Sequence, residues 1–262
     1  MKTLRGLAQY PLFYASLLAL GTMCLGWCLL AWVVRPVLST DKARALGRAG
    51  ISSGFRHYFA LTSWLGLTRF EMDELDRLND QPSMILAANH PTFLDAVLLI
   101  SRLKNAGCIM KADVVDNPFL GAGARLADFI RNDSPRNMIR HAIHDLRHGS
   151  HLLVFPEGTR TINAPIDDFK SGFALIAKGA KVPVQTLFIE NNSPFLSKGW
   201  PIHQKPPAFP LIYRVRLGQR FAVTGDVKQF TRDLQHYFGQ ELAQAELTLT
   251  PRPSSPEATC HD

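Results

Sequence analysis

The chain has 262 residues, which allows one large domain with a small additional element, and its hydrophobic residues, 46% of the total, can supply a substantial core. The formal charge of +7 favours an anionic partner, such as an acidic lipid or a phosphorylated substrate. Aromatic and basic residues do not alternate in a pattern typical of RNA binding, and the four cysteines lack the paired spacing of a metal site, so we predict no nucleic-acid partner and no bound metal.

The first predicted element is an uncharged run of 24 residues from Pro11 to Val34, PLFYASLLALGTMCLGWCLLAWVV. It exceeds the roughly 20 residues that cross a bilayer as a helix. A signal peptide is one alternative, because Lys2 and Arg5 precede the run, but the run is longer than a typical signal h-region and no clear cleavage site follows it. A buried core helix is the other alternative. The basic residues flanking the run slightly favour a body on the cytoplasmic side, although a hairpin within one leaflet fits the same bias.

The next segment, ISSGFRHYFALTSWLGLTRF at residues 51–70, is rich in aromatic and aliphatic side chains. It is compatible with a helix lying at the membrane surface and equally with a helix packed on the globular body. We predict that residues 1–64 form a membrane-anchoring helical region.

Strand-like and helix-like segments alternate from residue 65 onward. Strands are predicted in SMILAAN, GCIMKA, FIRN, HLLVFP and VPVQTLFI, and a late pair of strands in YRVRLGQRFAV. Helices are predicted in TFLDAVLLISRLK, NPFLGAGARLAD (opened by Pro118), SPRNMIRHAIHDLRHG (capped by Ser134), FKSGFALIAKGA and DVKQFTRDLQHYFGQELAQAEL. This alternation predicts an α/β domain over residues 65–247, with a mostly parallel sheet covered by helices, and then a disordered tail over residues 248–262. The Pro-rich loop at residues 191–210 is placed to border a site.

The stretch AANHPTFLDA places His90 at the carboxyl end of a predicted strand and Asp95 in the first turn of the next helix. In open α/β sheets, ligands usually bind at that edge. A histidine can take a proton from a hydroxyl group, and a carboxylate on its other ring nitrogen fixes its tautomer. Because no Gly-x-Ser-x-Gly segment follows a predicted strand, as a nucleophile elbow requires, and no cysteine is suitably placed, the pair indicates activation of a substrate hydroxyl for direct attack. This spacing of His and Asp also arises by chance.

A second loop, FPEGTR, follows the predicted strand HLLVFP. Gly158 allows the backbone to approach a ligand closely, Thr159 offers a hydroxyl group, and the planar guanidinium of Arg160 suits a phosphate. The alternative is an ordinary loop in which Glu157 is solvated or paired with Arg160.

Together, NHPTFLD and FPEGTR resemble the glycerol-3-phosphate and lysophosphatidic acid acyltransferases, the family of the bacterial 1-acylglycerol-3-phosphate acyltransferases. The resemblance covers about residues 65–225, most of the predicted α/β domain. Further positions similar to the family are Lys111, Pro118, Phe119, Gly121, Arg125, Lys170, Gly172, Val182 and Pro183.

The resemblance implies an acyl transfer in which His90 deprotonates the acceptor hydroxyl and Asp95 orients His90. The hydroxyl would attack the thioester of acyl-CoA or acyl carrier protein, with no cofactor beyond that donor, to form phosphatidic acid. Arg160, Gly158 and Thr159 would hold the acceptor phosphate, and Glu157 would help to shape the pocket. The resemblance also implies a location in the bacterial inner membrane, with the catalytic domain on the cytoplasmic side and the bilayer, the lyso-lipid and the acyl donor as partners.

One block departs from the family pattern. Asp128 stands where the family commonly has a glycine, and the expected arginine is displaced, which makes Arg131 and Arg136 candidate substrate-binding residues together with Lys111. The acceptor therefore stays open between lysophosphatidic acid and another lyso-lipid, such as lyso-ornithine lipid. A non-catalytic lipid-binding protein with the same fold is the remaining alternative.

Overall fold

The structure is a computed structural model that describes residues 2–117, 121–200 and 209–249. The helices are α1 (Lys2–Val34), α2 (Thr40–Trp64), α3 (Asp95–Ile100), α4 (Ala112–Val115), α5 (Gly121–Leu126), α6 (Pro135–Arg147), α7 (Gly172–Ala180) and α8 (Val227–Leu249). The strands are β1 (Thr68–Glu71), β2 (Ile85–Ala88), β3 (Ala106–Met110), β4 (Ile130–Arg131), β5 (His151–Val154), β6 (Val184–Asn191) and β7 (Leu211–Phe221). Short 3-10 helices cover Arg35–Val37 and Asp73–Asp80.

The described residues form one seven-stranded sheet in the order β1-β7-β6-β2-β5-β3-β4. The strands from β6 to β4 run parallel, β7 runs antiparallel to β6, and β1 runs parallel to β7. The predicted α/β class with a mostly parallel sheet is therefore confirmed. Strand β2 lies between β6 and β5, so its carboxyl end has parallel neighbours on both sides, and this edge carries the candidate site.

Two apolar cores cover the two faces of the sheet. All four residues of β2 are buried, and because strand side chains alternate, Leu86 and Ala88 join one core while Ile85 and Ala87 join the other. The first core packs against residues of α1, α2 and α3, and the second packs against α6, α7 and α8. Burial on both faces explains why β2 appears in the sequence as a continuous apolar run.

Helix α1 is long and apolar enough to cross a membrane, by length and composition. The stretch Gln9–Val37 has a mean hydropathy of 2.1 in its most apolar window, yet only 11% of that window is buried. A core helix would show the reverse, mostly buried pattern. Its large exposed side chains include Leu18, Leu29, Trp32 and Val33.

Helix α2 packs on the body and also has an exposed apolar side. Tyr58, Phe59 and Thr62 are buried, whereas Trp64, the last residue of the helix, exposes 81% of its surface. The sequence left open whether this segment lies on the body or at a membrane surface, and the structure gives it a face suited to each. The predicted division of the chain near residue 64 stays a prediction.

The predicted late pair of strands is wrong, because residues 211–221 form the single strand β7. Gly218 resembles a turn residue in the sequence, but it lies inside the strand. A Cβ atom there would come within 2.4 Å of the Phe188 ring and of Thr186 Oγ1, so the glycine marks close packing rather than a turn. The helix predicted to open at Pro118 is described from Gly121 onward, and Pro118 itself lies outside the described residues. The predicted tail begins at residue 248, whereas α8 continues to Leu249, and residues 250–262 lie outside the described residues.

Candidate active site

The histidine and the aspartate of the first motif form a hydrogen-bonded pair at the carboxyl end of β2. His90 Nδ1 lies 2.8 Å from Asp95 Oδ2. The Asp95 side chain is fully buried, while the His90 side chain keeps 17% of its surface exposed. The Phe155 ring stacks on the imidazole with a centroid distance of 3.9 Å. Within the described part of the chain, His90 Nε2 has no hydrogen-bond partner, so this nitrogen is the one available to a substrate.

Asp95 is held in place by Thr92 as well as by His90. The Thr92 backbone N–H donates to Asp95 Oδ2 at 2.6 Å, and the Thr92 hydroxyl donates to Oδ1 at 2.5 Å. Burial raises the pKa of Asp95, and the hydrogen bonds from His90 and Thr92 oppose that rise. With these donors on both carboxylate oxygens, the carboxylate can fix the His90 tautomer with the proton on Nδ1.

Glu157 joins the second loop to the first. Strand β5 lies next to β2, so the loop that follows β5 meets the loop that follows β2. The Glu157 carboxylate accepts hydrogen bonds from the backbone N–H of His90 at 3.1 Å, the hydroxyl of Thr161 at 3.0 Å and the N–H of Asp167 at 3.0 Å. The N–H of Thr161 donates in turn to the His90 carbonyl at 2.9 Å. Burial raises the pKa of Glu157, and all three of its partners are groups of the chain, so Glu157 organises the loops.

Gly158 has the conformation and the surroundings that require a glycine. Its φ of +72° lies in the left-handed region. An added Cβ atom would also approach Lys170 Nζ to 2.8 Å. The neighbouring Thr159 hydroxyl accepts a hydrogen bond from Lys198 Nζ at 3.1 Å.

Arg160 uses part of its guanidinium to hold a third loop. Its Nη1 donates to the carbonyls of Leu196 at 3.0 Å and Ser197 at 3.2 Å. The Leu196 carbonyl also accepts the Phe93 N–H at 3.0 Å, and Phe93 lies 5.9 Å from the Arg160 guanidinium. Among described residues, Nε and Nη2 have no partner and stay available to an anion. The described part of the predicted bordering loop thus contacts both motifs, while residues 201–208 lie outside the description.

The other predicted substrate-binding residues lie at the same edge of the sheet but farther from His90. Lys111 follows β3, Arg131 ends β4, and Arg136 lies in the first turn of α6. β3 and β4 are the second and third strands from β2. Their carboxyl ends therefore lie roughly 10 and 14 Å from the carboxyl end of β2. Arg131 is paired with Asp116 and, at 2.9 Å, with Asp133.

The departure at Asp128 has a conformational explanation. Its φ of +57° lies in the left-handed region, which favours glycine and which aspartate tolerates better than most residues. Its carboxylate accepts from His141 Nε2 at 3.3 Å and lies 3.8 Å from an Arg44 nitrogen. The side chain therefore ties α6 to α2.

Sequence reasoning missed Thr92, Phe155, Tyr213 and Lys198. Thr92 had a signal, because Thr-x-x-Asp is the spacing of a capping box, in which the carboxylate reaches back to the threonine N–H. Tyr213 is buried, and its pKa is raised by that burial and by the nearby Asp95 carboxylate. It lies more than 100 residues beyond Asp95, so no local pattern connects the two.

The known proteins that this chain resembles are described as acyltransferases. Residues 69–190 match the family model described as Acyltransferase. The chain is 22% identical over 255 residues to a 1-acyl-sn-glycerol-3-phosphate acyltransferase of Pseudomonas aeruginosa, covering 94% of both chains. It is 34% identical over 90 residues to a lyso-ornithine lipid O-acyltransferase of Rhodobacter capsulatus, covering 33% of this chain and 32% of that protein. The crystal structure of the lysophosphatidic acid acyltransferase PlsC of Thermotoga maritima has the same fold, with a TM-score of 0.68, 17% identity and coverage of 97% of this chain and 100% of that one.

Proposed function

The chain belongs to the acyltransferase family, and from that premise we propose that it transfers a fatty acyl chain from acyl-CoA or acyl carrier protein to 1-acyl-sn-glycerol-3-phosphate, forming phosphatidic acid. The observation that carries the proposal is the His90–Asp95 hydrogen bond of 2.8 Å, in a site whose loops also present Arg160. A base can take the proton of the acceptor hydroxyl, and a nearby guanidinium can bind the phosphate of the same molecule.

In the proposed reaction, His90 Nε2 accepts the proton of the acceptor hydroxyl as its oxygen attacks the thioester carbonyl. Asp95 keeps the other ring proton on Nδ1 and stabilises the imidazolium that forms. The carbon–sulfur bond then breaks, and His90 returns the proton to the leaving thiolate. This sequence consumes no cofactor beyond the acyl donor.

The acceptor phosphate binds at Arg160 in this proposal, through the Nε and Nη2 groups that the 195–198 loop leaves unused. Gly158 and Thr159 bring the backbone and a hydroxyl group close to the same place. Lys111, Arg131 and Arg136 are proposed as further substrate contacts along the edge of the sheet, and Arg131 would have to leave Asp116 and Asp133 to take part. Glu157 would shape this pocket by holding the two loops together.

Membrane association is part of the proposal. The exposed apolar surface of α1 supports anchoring through residues 1–64. Phe93 exposes 67% of its surface next to Arg160, which provides apolar surface for a lipid at the site itself. We place the protein in the bacterial inner membrane, with the catalytic domain on the cytoplasmic side.

Membranes carrying the full chain, incubated with isotopically labelled acyl-CoA and a panel of lyso-lipids, test the proposed function. Mass spectrometry then identifies which acceptor gains a chain, and the proposal expects label in phosphatidic acid. A second donor arm with acyl carrier protein identifies the preferred thioester. Label in another lipid and none in phosphatidic acid would contradict the proposed acceptor. No transfer to any acceptor from either donor would favour a lipid-binding role without catalysis.

A lyso-ornithine lipid acceptor is the second candidate, because the Rhodobacter capsulatus relative is 34% identical over its matched segment. Including lyso-ornithine lipid in the acceptor panel distinguishes this candidate from lysophosphatidic acid. Label in the ornithine lipid alone would select this candidate.

A further inference from the structure

Three basic side chains surround the turn at Gly158 and Thr159. Arg160 follows the turn directly, Lys170 Nζ lies beside Gly158, and Lys198 Nζ donates to the Thr159 hydroxyl at 3.1 Å. Within the described ranges, none of the three has a carboxylate within 4.0 Å. The turn therefore gathers three positive charges, none of which is held in an ion pair by a described carboxylate.

The two acidic residues next to this turn are occupied by other donors. Glu157 is buried and accepts from the chain on both oxygens. Asp167 accepts from the N–H of Ile162 at 2.7 Å and from the N–H and the side-chain amide of Asn163 at 3.1 and 2.8 Å. These bonds, led by the one from Ile162, lower the pKa of Asp167, and the charge of Lys198 contributes least. Asp167 therefore lies close enough to Lys198 to be affected by its charge, but neither acid forms an ion pair with Lys198 within 4.0 Å in the described part of the chain.

Lys198 is carried by a loop with several anchors. The Phe195 side chain is 1% exposed and packs against Phe13 of α1, with ring centroids 5.3 Å apart. Leu196 adopts a left-handed φ of +63°, and its carbonyl accepts from both Phe93 and Arg160. Arg160 also holds the Ser197 carbonyl, one residue before Lys198. The loop thus brings an ammonium group to the turn that presents Arg160.

We propose, resting on the proposed function, that Lys198 is a specificity-determining residue that binds the acceptor's phosphomonoester together with Arg160. A phosphomonoester carries close to two negative charges near neutral pH, so one guanidinium leaves it partly unneutralised. The Lys198 ammonium has three N–H donors, of which Thr159 takes one. Zwitterionic headgroups need less positive charge, so Lys198 sets the preference for a free phosphate. Lys198 lies outside residues 69–190, the segment that the family model covers.

Steady-state kinetics on the full chain in mixed micelles, with Lys198→Gln and Lys198→Arg, tests this assignment. We expect Lys198→Gln to raise KM for lysophosphatidic acid by about tenfold or more, the loss typical of one charge-assisted hydrogen bond, with kcat within about twofold of wild type. Lys198→Arg should recover most of the affinity, because it keeps the charge. Lys228→Gln is the matched control, because it removes an exposed lysine from the first turn of α8, at the opposite edge of the sheet.

An unchanged KM in Lys198→Gln, or a fall in kcat alone, would overturn the assignment. Failure of Lys198→Arg to recover affinity would also overturn it, since it would indicate a structural role. These failures are distinct from failure of the proposed function, in which the wild-type protein itself would not acylate lysophosphatidic acid.

Discussion

At the scale of single residues, the candidate site depends on how Asp95 is surrounded. Its carboxylate receives a hydrogen bond from His90 and two from Thr92, inside a fully buried position. The same carboxylate therefore serves two purposes, because it closes the turn that begins α3 and it orients the imidazole.

Replacing Asp95 by Asn should lower kcat by about 100-fold or more, because the amide can stabilise neither the imidazolium nor the required tautomer with the same strength. Thr92→Val provides a graded comparison, since it removes the hydroxyl bonds to Asp95 and Tyr213 and leaves the backbone N–H bond to Asp95 in place. We expect kcat to fall less in Thr92→Val than in Asp95→Asn. Rates of acyl transfer by both variants, measured beside their melting temperatures, check the prediction, and a wild-type rate for Asp95→Asn would contradict it.

Much of the site could be predicted from the sequence because its parts are local. His90 and Asp95 are five residues apart, and Glu157 to Arg160 are consecutive, so a strand followed by a loop is enough to place them. Lys198 and Tyr213 could not be found in this way. Their positions depend on β6 lying beside β2 and β7 lying beside β6, which is a property of the sheet order and not of any short segment.

At the scale of elements, glycines determine how closely the N-terminal helices approach the body. A Cβ atom on Gly47 of α2 would come within 2.4 Å of the Ala127 backbone nitrogen, just after α5. A Cβ atom on Gly50 would come within 2.0 Å of the Trp27 ring of α1. A Cβ atom on Gly54 would meet only Met23, at 3.8 Å, which is an ordinary contact. Three glycines of one helix thus differ in what surrounds them.

Gly47→Ala should destabilise the protein by about 1–3 kcal/mol, because the methyl group forces α2 away from a rigid backbone. Gly54→Ala is the matched control in the same helix and should be neutral or stabilising by up to about 1 kcal/mol, as expected for helix propensity. The melting temperatures of Gly47→Ala and Gly54→Ala in detergent test this difference. Equal melting temperatures would show that α2 does not pack against α5 as closely as described.

The strand β7 illustrates why element boundaries were harder to predict than element types. Its 11 residues include Gly218, which lies inside the segment predicted as two strands. The glycine is there because Phe188 and Thr186 of β6 occupy the space of a side chain. That reason is visible only once the neighbouring strand is known.

At the scale of the whole molecule, a buried ion pair joins the N-terminal helices to the sheet. Arg48 of α2 donates to Asp145 of α6 at 2.8 Å, to the Ser150 hydroxyl at 2.7 Å and to the Asn105 side chain at 2.9 Å. The side chains of Arg48 and Asp145 are 2% and 1% exposed. Asn105 and Ser150 precede β3 and β5, so the pair lies at the edge of the sheet opposite the candidate site.

Arg48→Met should cost about 3–5 kcal/mol of stability, because it removes the closest partner of the buried Asp145 charge and leaves Arg44 as its nearest cation, at 3.9 Å. Removing Asp145 as well, in Arg48→Met/Asp145→Leu, should cost less than the single change. Arg69→Met is a surface control, since Arg69 is 67% exposed in its pair with Glu71, and it should cost less than about 1 kcal/mol. The free energy of unfolding of all three variants is measured in detergent. A double variant that is less stable than Arg48→Met would contradict this explanation.

The central claim is that His90 is the base that activates the acceptor hydroxyl. The most direct measurement is the rate of acyl transfer to lysophosphatidic acid by wild-type protein and His90→Ala, in identical membranes at equal protein amounts. Loss of the general base should reduce the rate by about 100-fold or more, while membrane binding and melting temperature stay unchanged. Transfer by His90→Ala at the wild-type rate would contradict the claim.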